Sequence, residues 1–197
     1  GININTVPVL DIRHPKRSNI IGDRSYSTSA KIVSTIGDYC VNEFSNKKIA
    51  TVIKHIPGHG LAYADSHKKT PVVDTKINYL MKNDFSVFKK KQSLFAMTAH
   101  VIYSDIDPLN TATHSSKIIN LIRKKVGFKN VLITDDISMK ALKYSIKINT
   151  IKAFTSGCNL VLHCSANLPE MRIVAENSPF LSSFMIKKTS QFYNFLS

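Results

Sequence analysis

Five short runs of β-branched and aliphatic residues, each followed by a longer amphipathic stretch, set the strongest limit on how this chain can fold. The runs are Asn3 to Ile12, Ala50 to Ile56, Leu94 to Val101, Asn130 to Thr134 and Asn159 to Cys164. They are too apolar to keep one face in water, so both faces of the sheet must be covered by helices. Helical spacing of apolar residues is read over Ser29 to Phe44, Ile77 to Phe88, Ser116 to Val126 and Met139 to Thr155, with a last helix near Ser182 to Leu196. In the first of these, Ile32, Val33, Ile36, Tyr39, Cys40 and Phe44 form the expected inner side. Ser115 or Ser116 is the candidate N-cap of the third. The expectation is a parallel α/β fold in one domain spanning residues 1–197.

Where those runs end, polar residues stand out: Asp11, Lys54 and His55, His100, Asp135 and Asp136, and His163. Chemistry in parallel α/β folds gathers at the carboxyl ends of the strands. Five such ends carrying acids, bases and a cation predict the rim of an active site.

The densest segment is Lys54-His55-Ile56-Pro57-Gly58-His59-Gly60, followed by Asp65-Ser66-His67. A zinc site is one reading of its histidines, but Pro57-Gly58 breaks any helix that would pair His55 with His59. For His59 and His100 the alternative is a structural histidine satisfied in the core. Asp65 and His67, two apart in a loop, can face the same side, with the carboxylate holding one imidazole nitrogen and the other free for general acid–base work. Asp135 at a strand end can act as nucleophile, metal ligand or electrostatic stabiliser, while Asp136 can cap the following helix. Arg24, in the loop after the first strand, offers a fork of donors to a sugar or a carboxylate, or pairs with an acid nearby.

Charge admits a competing class. Lys and Arg number 27 against 13 Asp and Glu, a formal charge of +14. Phosphate binding would follow if the cations were clustered, but the lysines are dispersed, and runs such as Lys89-Lys90-Lys91 and Lys124-Lys125 read as solvated faces. No nucleic-acid partner is expected. No apolar run approaches the ~20 residues that cross a bilayer, and none of the opening residues reads as a leader. Three cysteines (Cys40, Cys158 and Cys164) without a framework suggest a reducing, cytoplasmic setting and small buried side chains.

Taken in order, GININTVPVLDI, IGDRSY, KHIPGHG with ADSHKKTP, MTAHVIYSDIDP, GFKNVLITDDISMKAL and SGCNLVLHCS resemble glycoside hydrolase family 3, in particular its bacterial cytoplasmic β-N-acetylhexosaminidases of peptidoglycan recycling. The resemblance implies that Asp135 is the nucleophile of a retaining glycosidase, His67 the acid/base and Asp65 its orienting partner. It implies that Arg24, Lys54 and His55 bind N-acetylglucosamine, and that neither metal nor organic cofactor is needed. It further implies a (β/α)₈ barrel, of which these residues supply about the last five units. The family's early DQEGGRV-like motif has no counterpart here. The expectation is therefore an incomplete sugar site and two open sheet edges, hence a poorly stable chain, a complementing N-terminal segment, or an inactive remnant.

Overall fold

The computed structural model describes residues 1–15, 20–63 and 69–197. In chain order its elements are β1 (Ile4–Asn5), α1 (Ala30–Asn46), β2 (Ala50–Ile56), β3 (Val72–Val73), α2 (Ile77–Lys82), β4 (Phe95–Thr98), β5 (Ile102–Tyr103), α3 (Ser116–Leu121), β6 (Val131–Asp136), α4 (Ile146–Ser156), β7 (Leu160–Leu162), α5 (Leu168–Glu176) and α6 (Ser183–Leu196). Five strands form one sheet in the order β1-β2-β4-β6-β7, every neighbouring pair parallel. These are the five runs read from the sequence. The separate β3–β5 pair, also parallel, has only two residues per strand and left no periodic trace.

The first run is strand only at its start, because Pro8 has no N–H to give to a ladder. The chain nevertheless stays beside β2. Lys54 N–H donates to Pro8 O (3.2 Å) and Leu10 N–H to Lys54 O (2.7 Å), which carries the segment on to Asp11. Leu10, Ile53, Ile56, Ala96 and Leu132 are wholly or almost wholly buried in the core, as the apolar runs demand. The exception is β7, an edge strand in which all three residues are half-buried.

Helix α1 packs through Val33, Gly37 and Val41 rather than through the broader predicted face. Ile32 and Tyr39 from that face are 49% and 68% exposed. Gly37 explains the rotation: a Cβ there would lie 2.4 Å from Leu10 Cδ2, so the missing side chain lets the helix sit directly on the first segment. The helix expected over Ile77 to Phe88 stops at Lys82. Phe85, Val87 and Phe88 are all buried, and in one helix Phe85 and Phe88 would share a face while Val87 would point to the opposite side. The chain instead turns at Asn83 and makes a single 3₁₀ turn over Ser86–Phe88. Likewise α4 begins only at Ile146, where the Ser145 side chain accepts from Ile148 N–H, and residues 139–144 are turns. Ser115 is the N-cap of α3, which continues as a π-helical segment over Ile122–Val126. Helix α5 was not anticipated, although Asn167 as cap, with Pro169 and Glu170 in the first turn, is a start signal. Lys91 is no solvated lysine: its ammonium is buried 2.8 Å from Asp38. Of the cysteines only Cys158 is buried, while Cys164 is exposed.

Among the described residues no helix is long and apolar enough to cross a membrane. On the β7 side, Phe180, Leu181 and Leu168 are largely exposed beside a groove lined by Phe154, Leu160, Val161 and Met185.

Two expected outcomes follow from this packing. A Cβ on Gly60 would sit 2.0 Å from the Ile12 carbonyl oxygen, so Gly60→Ala should cost about 1–3 kcal/mol or more in urea unfolding; an unchanged midpoint would contradict the packing. Burial pushes the pKa of His59 and of His114 down to about 4. The unfolded chain takes up protons on both below about pH 6.5 while the folded chain does not, so stability is greatest above that pH and falls towards pH 4, by on the order of 3 kcal/mol per histidine. Urea midpoints measured from neutral to acid pH check this, and His114→Gln should flatten the slope.

Candidate functional site

Asp11 lies at the bottom of the site with no exposure to solvent. Its carboxylate accepts three N–H groups: His59 N (2.6 Å), His55 N (3.2 and 3.3 Å to the two oxygens) and His55 Nδ1 (2.6 Å). Burial alone would raise its pKa. The neighbouring His55 and His59 side chains and these hydrogen bonds outweigh burial and hold it below the usual carboxylate range. The end of β2 and the loop after it are thereby wrapped around one anion. Tyr103 OH donates to Gly58 O on the far side of the loop, and Asp84, which binds the His14 ring at 2.9 Å, packs against Gly58.

His55 links that buried carboxylate to the open side. Its Nε2 lies 3.8 Å from Asp135 Oδ2, at the carboxyl end of β6. The Asp135 side chain is 22% exposed. Burial pushes its pKa up, but His55, His100, the Asp136 N–H at 2.9 Å and Lys54 together bring it below the usual range. Lys54 is half-buried, and burial lowers its pKa further than Asp135 and Asp11 restore it; the charge of Arg24 pushes the same way as burial. Arg24 sits on an exposed 3₁₀ turn (Gly22–Arg24), its guanidinium donating to Ile20 O at 2.9 Å. Among the predicted site residues, Lys54 therefore interacts electrostatically with both Arg24 and Asp135, and Asp135 also with His55. Asp65 and His67 lie outside the described residues. The chain entering that segment is buried at Leu61 and Ala62, and the chain leaving it is tied by Thr70 Oγ1 to Ala141 O at 2.8 Å.

The remaining rim residues have different duties. His100 is buried with Nε2 donating to Asp136 O (3.0 Å) and Nδ1 beside the Thr113 hydroxyl (2.7 Å), a satisfied core histidine directly behind Asp135. Asp136 caps no helix, since α4 begins ten residues on. Its carboxylate accepts from Ser138 N and Oγ and from Cys164 N, clipping the end of β6 to that of β7. His163 pairs with Glu170 of α5 at 2.8 Å and joins no other rim residue. His59 packs edge-on to His55, and its Nε2 is buried with no partner among the described residues. Among those residues no group of three or more His, Cys, Asp or Glu side chains is arranged to hold a metal ion.

The anchoring role of Asp11 was missed at the level of sequence. Its signal is an acid that closes the apolar run Val7 to Leu10, where only a partnered carboxylate is tolerated.

Comparison with known proteins places the chain as a whole. The sequence profile of the "Glycosyl hydrolase family 3 N terminal domain" matches residues 1–181. A protein of Nitrosomonas eutropha named β-hexosaminidase is 32% identical over 171 residues, covering 84% of this chain and 49% of its own length. A Haemophilus influenzae β-hexosaminidase is 30% identical over 202 residues, covering 97% of this chain and 57% of its own. The chain thus spans about half the length of these curated relatives. Among solved structures, a family 3 β-N-acetylglucosaminidase from Paenibacillus sp. superposes with a TM-score of 0.85 at 26% identity, over 98% of this chain and 39% of that one. NagZ from Neisseria gonorrhoeae, at 24% identity, shares the fold with a TM-score of 0.85 over 100% of this chain and 57% of its own. The profile match and these relatives agree with the parallel α/β fold: the chain belongs to the glycosyl hydrolase family 3 N-terminal domain family.

Proposed function

We propose that this chain carries the nucleophile and most of the sugar-binding side of a retaining β-N-acetylhexosaminidase, acting on terminal β-N-acetylglucosamine of peptidoglycan-derived saccharides in the cytoplasm. The observation that carries the reading is Asp135. A glycosidase nucleophile must be ionised, open to substrate and in fixed geometry, and Asp135 is a partly exposed carboxylate with a lowered pKa, placed at a strand end beside His55 and Lys54.

In the first step His67 protonates the departing oxygen while Asp135 attacks the anomeric carbon. In the second, neutral His67, oriented by Asp65, activates water, and the sugar leaves with its configuration retained. Arg24, Lys54 and His55 hold the N-acetylglucosamine unit through its polar groups. Neither step draws on a metal or an organic cofactor. The five-stranded sheet is read as the later part of a (β/α)₈ barrel over residues 1–197. Its edges at β1 and β7, with the exposed apolar residues near β7, suit a complementing segment that supplies the other strands.

The test is hydrolysis of a chromogenic β-N-acetylglucosaminide by the 197-residue chain, alone and mixed with the N-terminal half of a relative. Asp135→Ala should lower turnover on the order of 10³-fold or more, and the first-formed product should be the β-anomer by NMR. Turnover indifferent to Asp135, an inverted product, or no turnover in either sample would defeat the reading.

A further inference from the structure

Asp11 and Asp135 approach the same imidazole from opposite sides, and only one of them is within hydrogen-bond distance. Asp11 Oδ2 is 2.6 Å from His55 Nδ1, whereas Asp135 Oδ2 is 3.8 Å from Nε2. Asp11 has no exposure to water, and both its oxygens already accept backbone N–H groups. An ionised carboxylate can only accept. The nitrogen facing it must therefore carry a hydrogen, whether the ring is neutral or charged.

We propose that Asp11 is a positioning residue of the site described above: it locks the ring proton of neutral His55 on Nδ1, so that Nε2, on the side facing Asp135, carries the lone pair. This rests on the reading of Asp135 as the reacting carboxylate. The consequence for substrate is specific. Neutral His55 presents a lone pair beside Asp135 and can accept a hydrogen bond from a sugar hydroxyl or amide; protonated, it presents a donor there. Without Asp11, the two tautomers would be free to exchange that lone pair for an N–H. The groups that face His55 are Asp11 on the first segment, His59 on the loop after β2, His100 after β4, and Asp135 on β6. Of these only Asp11 is within hydrogen-bond distance of a ring nitrogen of His55.

Asp11→Asn changes the lock and little else in shape. The carboxamide has one acceptor oxygen where the carboxylate had two, and its NH₂ would confront an N–H group. The ring relieves that clash by moving its proton to Nε2, so that Nδ1 accepts from the amide.

Nitrogen-15 NMR of the ring nitrogens in the full chain, with His55 assigned by its loss in His55→Gln, reads this directly. In the unsubstituted protein the neutral ring should carry its proton on Nδ1. In Asp11→Asn the neutral ring should carry its proton on Nε2. A neutral Nε2–H ring in the unsubstituted protein overturns the proposal even if the variant does not fold, and so does a variant that keeps its proton on Nδ1. The readout needs no turnover, so it stands or falls apart from the glycosidase assay. Where Asp135-dependent turnover is measurable, Asp11→Asn should cut kcat/KM on the order of 10²-fold or more, as losing a tautomer-fixing carboxylate does elsewhere. Unchanged kcat/KM in a folded variant would also overturn it.

Discussion

A carboxylate removed from water must be solvated by the protein, and the effective penalty for leaving one bare runs to several kcal/mol. Asp11 has no solvent exposure, and among the described residues the N–H groups that solvate it belong to His55 and His59. Those residues bracket the turn at Pro57-Gly58, so satisfying one anion fixes the end of β2, the path of the following loop and the direction of the His55 ring together. Other contacts fit around that arrangement. Gly60 lies against the Ile12 carbonyl and Gly58 against Asp84, and Tyr103 reaches the Gly58 carbonyl.

A second electrostatic layer sits above the first. Lys54, His55 and Asp135 are brought together by the parallel pairing of β2, β4 and β6, which aligns their carboxyl ends. Burial opposes charge on both Lys54 and Asp135, and each partly restores the other. A substrate that displaces the remaining water strengthens that mutual dependence, because the same charges interact more strongly as the local dielectric falls. The pair is thus suited to a site that alternates between open and filled.

Much of this was legible in the sequence for a simple physical reason. Central strands of a parallel sheet bury both faces, so Ala50 to Ile56 and Val131 to Thr134 announce themselves as unbroken apolar runs, and the polar residues that end them stand out. Lys54, His55 and Asp135 stood out because polar residues at strand ends contrast with their apolar surroundings, whereas Arg24 was named a sugar ligand only through the family resemblance. What failed depended on tertiary contact. The rotation of α1 follows from a glycine opposite Leu10, which no helical period records. The break after Lys82 follows from burying Phe85, Val87 and Phe88 on different sides, and the late start of α4 from a serine cap within an apolar stretch. Asp11 was visible as a polar residue at a strand end, yet its task depends on two donors more than forty residues away.

Asp135 and Asp136 are adjacent in β6 but do unrelated work. Side chains of successive strand residues point to opposite sides, so Asp135 turns towards His55 while Asp136 grips Ser138 and the Cys164 N–H. Chemically identical neighbours are thus told apart by parity alone. A one-residue insertion or deletion within Val131–Thr134 would leave both acids in the sequence and interchange their sides: the carboxylate that fastens β7 would face His55, and the one that faces His55 would turn to the fastening. An alignment that tolerates a gap there would still report an intact Asp-Asp pair, in a chain whose two carboxylates had exchanged surroundings.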